Sequence, residues 1–181
     1  TDYLTSSHLN ANPKAISHMD LAARLEDSEK TRMLFTYNNN IAASNPQQGR
    51  LRNALAREDL FTVVLDLFQT DTANYADVLL PAASFLEFDD LIASYFDYSV
   101  SAQAKVAEPI GEALPNQEIF RRLARAMRLP DPELVEEDET ILAKLMADSG
   151  TDLTFAQLAV VGTVDLSTQP VVAFQDRRFP T

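Results

Sequence analysis

The densest run of apolar residues lies between residues 60 and 87. Two apolar segments, Phe61–Leu67 and Val78–Leu80, flank a polar turn that contains Thr70. Continuous aliphatic and β-branched runs of this length are typical of strands covered on both faces of a parallel sheet. We therefore predict two such strands, joined by a turn and a short helix that Thr70 or Asp71 caps.

Other segments predict further strands and helices. The apolar run Met33–Tyr37 predicts a strand, and alternation over Ser99–Val106 predicts an edge or partly exposed strand. Helical spacing of apolar residues predicts five helices. These are Ile16–Leu25, a helix that begins at Asn45-Pro46 and ends near Arg57, Asn116–Arg128, Asp138–Asp148 with Gly150 just beyond its end, and Thr154–Val161.

Strands and helices alternate over short intervals, which favours an α/β fold with a mostly parallel sheet. In the helix Asn116–Arg128 we expect Arg121, Arg122 and Arg125 to face water. The chain divides into a lead-in and first helix at 1–32, an α/β core at 33–130, and a helical extension at 131–181.

Composition narrows the possible functions. The net charge of −12 makes a nucleic-acid partner improbable, and no apolar run is long enough for membrane insertion. The absence of cysteine excludes iron–sulfur ligation and a cysteine nucleophile within this chain. With only His8 and His18, a histidine-rich metal site is not expected. Because Thr1 is the first residue, we expect a piece of a longer protein.

Candidate binding residues follow two of the predicted strands. Ligands of parallel sheets bind beyond the carboxyl ends of the strands, where Asn38, Asn39, Asn40 and Asp66 lie. Asparagines there suit a nucleotide base or a phosphate, and Asp66 suits a ribose hydroxyl or base nitrogens. An ordinary polar turn and a turn-capping acid are the alternatives. Thr70 suits either a phosphate contact or a helix cap.

Other polar residues have simpler interpretations. Asp77 precedes a buried strand and is expected to be structural. The acidic cluster of Glu87, Asp89 and Asp90 could act in acid–base chemistry or bind a cation, but we favour a solvated loop. For His18 we favour an exposed helix residue over a ligand contact. The four glycines are isolated, so glycine-rich phosphate loops are absent, and the chain has no G-x-S-x-G motif either. Nothing in the sequence supports a self-contained active site.

Several longer motifs resemble the molybdopterin oxidoreductase family, which is the dimethyl sulfoxide reductase superfamily. The most specific is Thr70–Ala82, TDTANYADVLLPA. The others are Tyr37–Asn40 with Asn45-Pro46, Leu55–Val64, Glu87, and Pro109–Ala113 followed by Asn116.

The resemblance implies a fold, a cofactor and residue roles. It implies the third domain of a large catalytic subunit, with a Rossmann-like three-layer sheet at 33–130 and, from 131 to 181, a helical portion and linker toward a missing fourth domain. It implies one arm of a molybdenum-bis(molybdopterin guanine dinucleotide) cofactor, with an iron–sulfur cluster elsewhere in the parent. The cofactor contacts that it implies are Asn38, Asn39, Asn40, Leu65, Asp66, Thr70 and Asn116.

The resemblance also implies partners and a parent activity. The parent would be a molybdenum- or tungsten-dependent oxidoreductase with two-electron chemistry at the metal, and this chain alone would be inactive, without a catalytic residue or a metal ligand. Its partners would be other domains of the same polypeptide and electron-transfer subunits. We expect the cytoplasm, with the periplasm as the alternative. Other interpretations are a non-catalytic relative, such as a subunit of the respiratory complex I type, and a generic nucleotide-binding domain.

Overall fold

The computed structural model describes residues 16–95, 97–167, 174 and 177. The predicted turn at Asn12-Pro13 and the predicted interdomain segment Phe179–Thr181 lie outside the described residues. The helices are α1 Leu21–Glu26, α2 Ile41–Ser44, α3 Gln48–Leu55, α4 Asn116–Met127, α5 Asp138–Asp148 and α6 Phe155–Val161. The strands are β1 Met33–Tyr37, β2 Phe61–Asp66, β3 Val78–Pro81, β4 Asp90–Ala93, β5 Ser99–Gln103 and β6 Thr163–Asp165.

The chain forms two compact units. The parallel-sheet unit comprises residues 10–88 and 106–135, and the antiparallel unit comprises residues 1–9, 89–105 and 136–181. The first holds a sheet of order β1-β2-β3, and the second holds a sheet of order β4-β5-β6.

All three strands of the parallel-sheet unit run in the same direction. Tyr37 pairs with Leu65, and Asp66 pairs with Pro81, so the strands end together at one edge of the sheet. The strand predictions for residues 33–37, 61–67 and 78–80 are confirmed.

Helices cover both faces of this sheet. On one face Ala22, Leu25, Leu51 and Leu55, from α1 and α3, form a core that also contacts Leu34 of β1. On the other face α4 packs through Ile119 and Leu123, which belong to a second core cluster that includes Leu65, Ala82 and Phe35. This is the three-layer α/β arrangement that the sequence predicted.

Asp77 ties β2 to the start of β3. Its carboxylate accepts a hydrogen bond from the Thr62 N–H at 2.7 Å, and its own N–H donates to the Thr62 carbonyl at 2.8 Å. The structural role predicted for Asp77 is therefore confirmed, because both of its contacts go to the backbone of the neighbouring strand.

The Thr62 side chain gives a first testable prediction. It is fully buried, and its hydroxyl has no hydrogen-bond partner among the described residues. A buried hydroxyl without a partner loses about 1–3 kcal/mol of hydration free energy. Thr62→Val keeps the shape and removes that loss, so we expect chemical denaturation to show an equal or higher free energy of unfolding. A loss above about 1 kcal/mol would contradict the absence of a partner.

The region after β1 differs from its prediction. Asn45 does not begin a helix but follows the short helix α2, and its buried side chain pairs with His18 in both directions, at 3.3 and 3.4 Å. The next helix begins only at Gln48, after Gln47 takes a left-handed backbone with φ 57°. The predicted start was wrong because a tertiary contact to residue 18 fixes Asn45.

Arg121 also differs from its prediction. It is 4% exposed, and its guanidinium donates to the Glu118 carboxylate at 2.5 Å. Arg122 donates to the other oxygen of Glu118 at 2.7 Å, and this hydrogen bond, joined by the one from Arg121, holds the pKa of Glu118 below its ordinary value. The expectation that Arg121 faces water was therefore wrong, because this α4 guanidinium is buried and paired.

The antiparallel unit is built around β5, which lies between β4 and β6. The expectation of an edge strand at Ser99–Val106 was wrong, because β4 and β6 flank the strand on both sides. Val100 packs with Met146 of α5 and Leu158 of α6. Gly150, with φ +82°, follows the end of α5, as predicted. Within the part of the chain that the structure describes, no helix is long and apolar enough to cross a membrane.

Candidate functional site

The carboxyl edge of the parallel sheet brings the predicted residues together. Asn38–Asn40 follow β1, and the segment from Asp66 to Thr72 follows β2. A fourth segment joins beyond β3, where Leu114 forms a parallel bridge to Ala82 and donates to the Pro81 carbonyl at 3.2 Å. Asn116, the first residue of α4, comes two residues later. The candidate residues therefore come from four consecutive parallel segments.

The first loop of this edge is held by its backbone. Asn38 has a left-handed backbone with φ 50°, which asparagine tolerates better than most residues. Its N–H donates to the Leu65 carbonyl at 2.9 Å. The Asn39 side-chain oxygen accepts only a long bond of 3.4 Å from the Ser44 hydroxyl. The side chains of Asn38 and Asn39 are exposed and half-buried respectively, so both are accessible to a ligand.

Asn40 joins the first loop to the second. Its side-chain oxygen accepts from the Thr72 hydroxyl at 2.8 Å and from the Thr72 N–H at 3.2 Å. The Thr72 hydroxyl in turn accepts from the Ala42 N–H of α2 at 3.0 Å. We call this set of three bonds the Asn40–Thr72 clasp. The sequence had suggested Thr70 or Asp71 as the cap in this turn, whereas Thr72, with no side-chain capping bond to the 3₁₀ helix Ala73–Tyr75, serves α2 instead.

Leu65 and Asp66 end β2 in different environments. Leu65 is fully buried in the core against α4, so only its backbone carbonyl reaches the loop at Asn38. The half-buried Asp66 carboxylate accepts from the Leu67 N–H at 2.7 Å. It lines a cavity of about 270 Å³ with apolar walls, among them Phe68 and Leu79.

Phe68 is a residue that the sequence analysis missed. Its ring is 74% exposed, although large aromatic side chains usually bury most of their surface. An exposed ring beside a carboxylate provides a stacking surface and a hydrogen-bond acceptor for a planar heterocycle. The available signal was its position, two residues beyond Asp66 at the end of a buried strand.

Thr70 and Asn116 carry unsatisfied polar atoms. The Thr70 hydroxyl and the Asn116 side-chain oxygen are buried, and neither has a hydrogen-bond partner among the described residues. Leaving such groups unpaired costs about 1–3 kcal/mol each. Both belong to the segments that meet at this edge. They suit a ligand that supplies an acceptor or hydroxyl to Thr70 and an N–H or O–H to Asn116.

On the α4 side, aromatic rings flank the edge. The Tyr37 ring meets the Phe120 ring edge-to-face with centroids 5.2 Å apart, and Phe35 lies 5.8 Å from the same ring. Tyr37 stays about half exposed next to Asn38. The edge therefore combines accessible amides, a carboxylate, two unsatisfied buried oxygens and aromatic surfaces, which is a binding site without a nucleophile.

Comparison with protein families decides the assignment. A model of the molybdopterin oxidoreductase family matches residues 8–126. The chain belongs to the molybdopterin oxidoreductase family. The matched range contains all seven of the predicted contact residues, from Asn38 to Asn116, although the match itself assigns no contact to any of them.

Individual relatives of this molybdopterin oxidoreductase chain agree. The chain is 44% identical over 122 residues to "Probable oxidoreductase YoaE" of Bacillus subtilis, which covers 67% of this chain and 18% of that relative. It is 29% identical over 160 residues to a dimethyl sulfoxide reductase catalytic chain, named as putative, of Halobacterium salinarum, covering 87% of this chain and 18% of that relative. The chain therefore spans about a fifth of the length of these relatives.

A solved structure shows the same fold. Acetylene hydratase from Pelobacter acetylenicus superimposes with a TM-score of 0.67 over 81% of this chain and 20% of that one, at 21% identity. At this identity the comparison supports the α/β fold, and it carries no argument about the reaction.

The acidic cluster of this family member does not form the predicted solvated loop. Glu87 is 7% exposed and accepts hydrogen bonds from the Ser84 and Ile110 N–H groups. Asp89 accepts from the Lys105 N–H at 2.7 Å, and Asp90 accepts from the Leu91 N–H at 2.8 Å. Burial raises the pKa of Asp90. The solvated-loop interpretation was wrong for Glu87, because its carboxylate satisfies two backbone donors.

Two other candidate groups have plain explanations. The exposed His18 side chain pairs with Asn45, so its ring nitrogen has a protein partner. Among residues 16–95 and 97–167, no group of three or more histidine, aspartate or glutamate residues is arranged to hold a metal ion.

Proposed function

We propose that this chain binds one molybdopterin guanine dinucleotide arm of a molybdenum-bis(molybdopterin guanine dinucleotide) cofactor, as one domain of a longer oxidoreductase. The observation that carries the proposal is the pair of buried, unsatisfied oxygens of Thr70 and Asn116 at the carboxyl edge of the sheet. Membership of the molybdopterin oxidoreductase family supports it.

Each residue at the edge has a stated role in the proposal. Asn38 and Asn39 bind polar groups of the cofactor through their accessible amides. The Asp66 carboxylate accepts from guanine N–H groups or ribose hydroxyls, and Phe68 covers one face of the base. Thr70 and Asn116 hydrogen-bond the nucleotide through the two unsatisfied atoms. Leu65 contributes through its backbone, because its side chain is in the core.

The chemistry divides between cofactor and chain. When bound, the cofactor supplies two-electron redox chemistry at molybdenum or tungsten, and the protein supplies binding, orientation and local electrostatics. We propose that this chain has no turnover alone. Other domains, an iron–sulfur cluster and electron-transfer subunits of a cytoplasmic parent would complete the enzyme.

Guanine nucleotide binding tests the proposal. We expect GDP to bind weakly, since one domain supplies only some of the contacts, and to shift the NMR amide signals of Leu67, Thr70 and Asn116. Asp66→Asn replaces one acceptor oxygen with a donor, so affinity should fall by about tenfold, which corresponds to ~1.4 kcal/mol. ADP should shift these signals less.

Asp71→Asn is the matched control. Asp71 is exposed in the same turn and makes no hydrogen bond among the described residues. If charge alone mattered, both substitutions would strengthen binding of the anionic GDP. Weaker binding in Asp66→Asn alone supports a base contact. No GDP-dependent shift at the sheet edge, or equal GDP affinity in both variants, would overturn the proposed function.

A further inference from the structure

The Asn40–Thr72 clasp fixes the orientation of the Asn40 carboxamide. A backbone N–H only donates, so the Asn40 atom that faces the Thr72 N–H at 3.2 Å must be oxygen. Asparagine oxygen and nitrogen are otherwise interchangeable at this level of description. Here the partner's chemistry removes the ambiguity.

The Thr72 hydroxyl has a fixed direction too. It accepts from the Ala42 N–H at 3.0 Å, so its own hydrogen is free to donate to the Asn40 oxygen at 2.8 Å. Hydrogen bonds therefore run one way, from Ala42 through Thr72 to Asn40. Thr72 is fully buried, so water does not compete for these groups.

The Asn40 oxygen then has no capacity left. Its two lone pairs are both occupied by Thr72, and the amide nitrogen lies on the opposite side of the same planar group. Within the part of the chain that the structure describes, no residue accepts a hydrogen bond from that nitrogen, and Asn40 is only half-buried. Toward a ligand, Asn40 is a donor and not an acceptor.

We propose that Thr72 is a positioning residue that holds Asn40 as a hydrogen-bond donor for an acceptor oxygen of the bound dinucleotide, a phosphoryl or carbonyl oxygen. This rests on the proposed function. The clasp also joins the loop after β1, which carries Asn39, to the turn after β2, which carries Thr70. Thr72 thereby sets the spacing of two contacts without touching the ligand itself.

The clasp is tested first without a ligand. Thr72→Val removes the hydroxyl at constant shape, and we expect amide hydrogen exchange at Ala42 to accelerate by about tenfold. Thr72→Ser restores the hydroxyl and should return exchange to within about threefold of the parent chain. Thr62→Val is the matched control, since Thr62 is an equally buried threonine whose hydroxyl has no described partner. Equal exchange at Ala42 in Thr72→Val and Thr62→Val would overturn the clasp.

The donor role is tested with GDP and guanosine. Asn40→Asp keeps an acceptor for Thr72 but presents a carboxylate oxygen where the amide donated. We expect normal Ala42 exchange together with at least about tenfold weaker GDP binding. Guanosine affinity falling equally identifies a carbonyl partner, and guanosine affinity unchanged identifies a phosphoryl partner. Unchanged affinity for both ligands would overturn the donor role.

A failure of the wider proposal is distinguishable. If the parent chain shows no shift with GDP, the proposed function and the donor role fall together. If GDP binds and responds to Asp66→Asn but not to Asn40→Asp, only the present inference falls.

Discussion

Leu65→Ala is expected to lower the free energy of unfolding of the parallel-sheet unit by about 2–5 kcal/mol. Leu65 is fully buried at the centre of the sheet and packs with Ile119 of α4 and Ala82 beyond β3. Removing its isobutyl branch loses hydrophobic transfer energy and leaves a cavity that strands hydrogen-bonded on both sides cannot close. Amide exchange of β1–β3 in increasing denaturant measures the loss.

Two variants separate the Leu65 side chain from its position in the site. Leu65→Met conserves most of the volume, so the free energy of unfolding should fall by less than about 1.5 kcal/mol. Leu67→Ala removes a side chain of the same type that is 43% exposed, two residues along, and should have a smaller effect still. If Leu65→Ala abolished GDP binding while leaving stability intact, the side chain would be a direct ligand contact and its assignment to the core would be wrong.

The strands of the parallel sheet could be predicted because burial on both faces leaves an apolar run in the sequence. Phe61–Leu67 and Val78–Leu80 have this signature, and both are strands within a residue or so of the predicted bounds. The antiparallel unit was harder. Its strand β6 is three residues long and makes no apolar run, so the central position of β5 depends on pairing that local sequence does not encode.

The site shows the same division between local and distant information. Asn39, Asp66 and Thr70 could be placed at one edge because parallel strands end together. The orientation of Asn40 could not, because it depends on Thr72, which lies 32 residues away. The helix α2 was missed for the same reason, since its second N–H is capped by Thr72 from the next loop.

Glu87→Ala is the second substitution with a large expected effect. One carboxylate oxygen accepts from the Ser84 N–H at 2.6 Å, and the other accepts from the Ile110 N–H at 3.0 Å. These bonds join the segment after β3 to the segment that leads into Asn116. Hydrogen bonds to a charged group contribute about 1.5–3 kcal/mol each, so we expect a loss of about 3–5 kcal/mol by thermal or chemical unfolding.

Glu87→Gln should be nearly as harmful as Glu87→Ala, although the side chain keeps its shape. Both described partners are N–H donors, so the amide nitrogen of glutamine would face one of them without an acceptor. Glu112→Gln is the control, because Glu112 makes the same charge change in the same segment but is exposed. We expect Glu87→Gln to shift the Ile110 and Asn116 amide signals and weaken GDP binding, and Glu112→Gln to do neither. Equal stability of the two glutamine variants would show that the buried carboxylate is replaceable, and the link between Glu87 and the position of Asn116 would be lost.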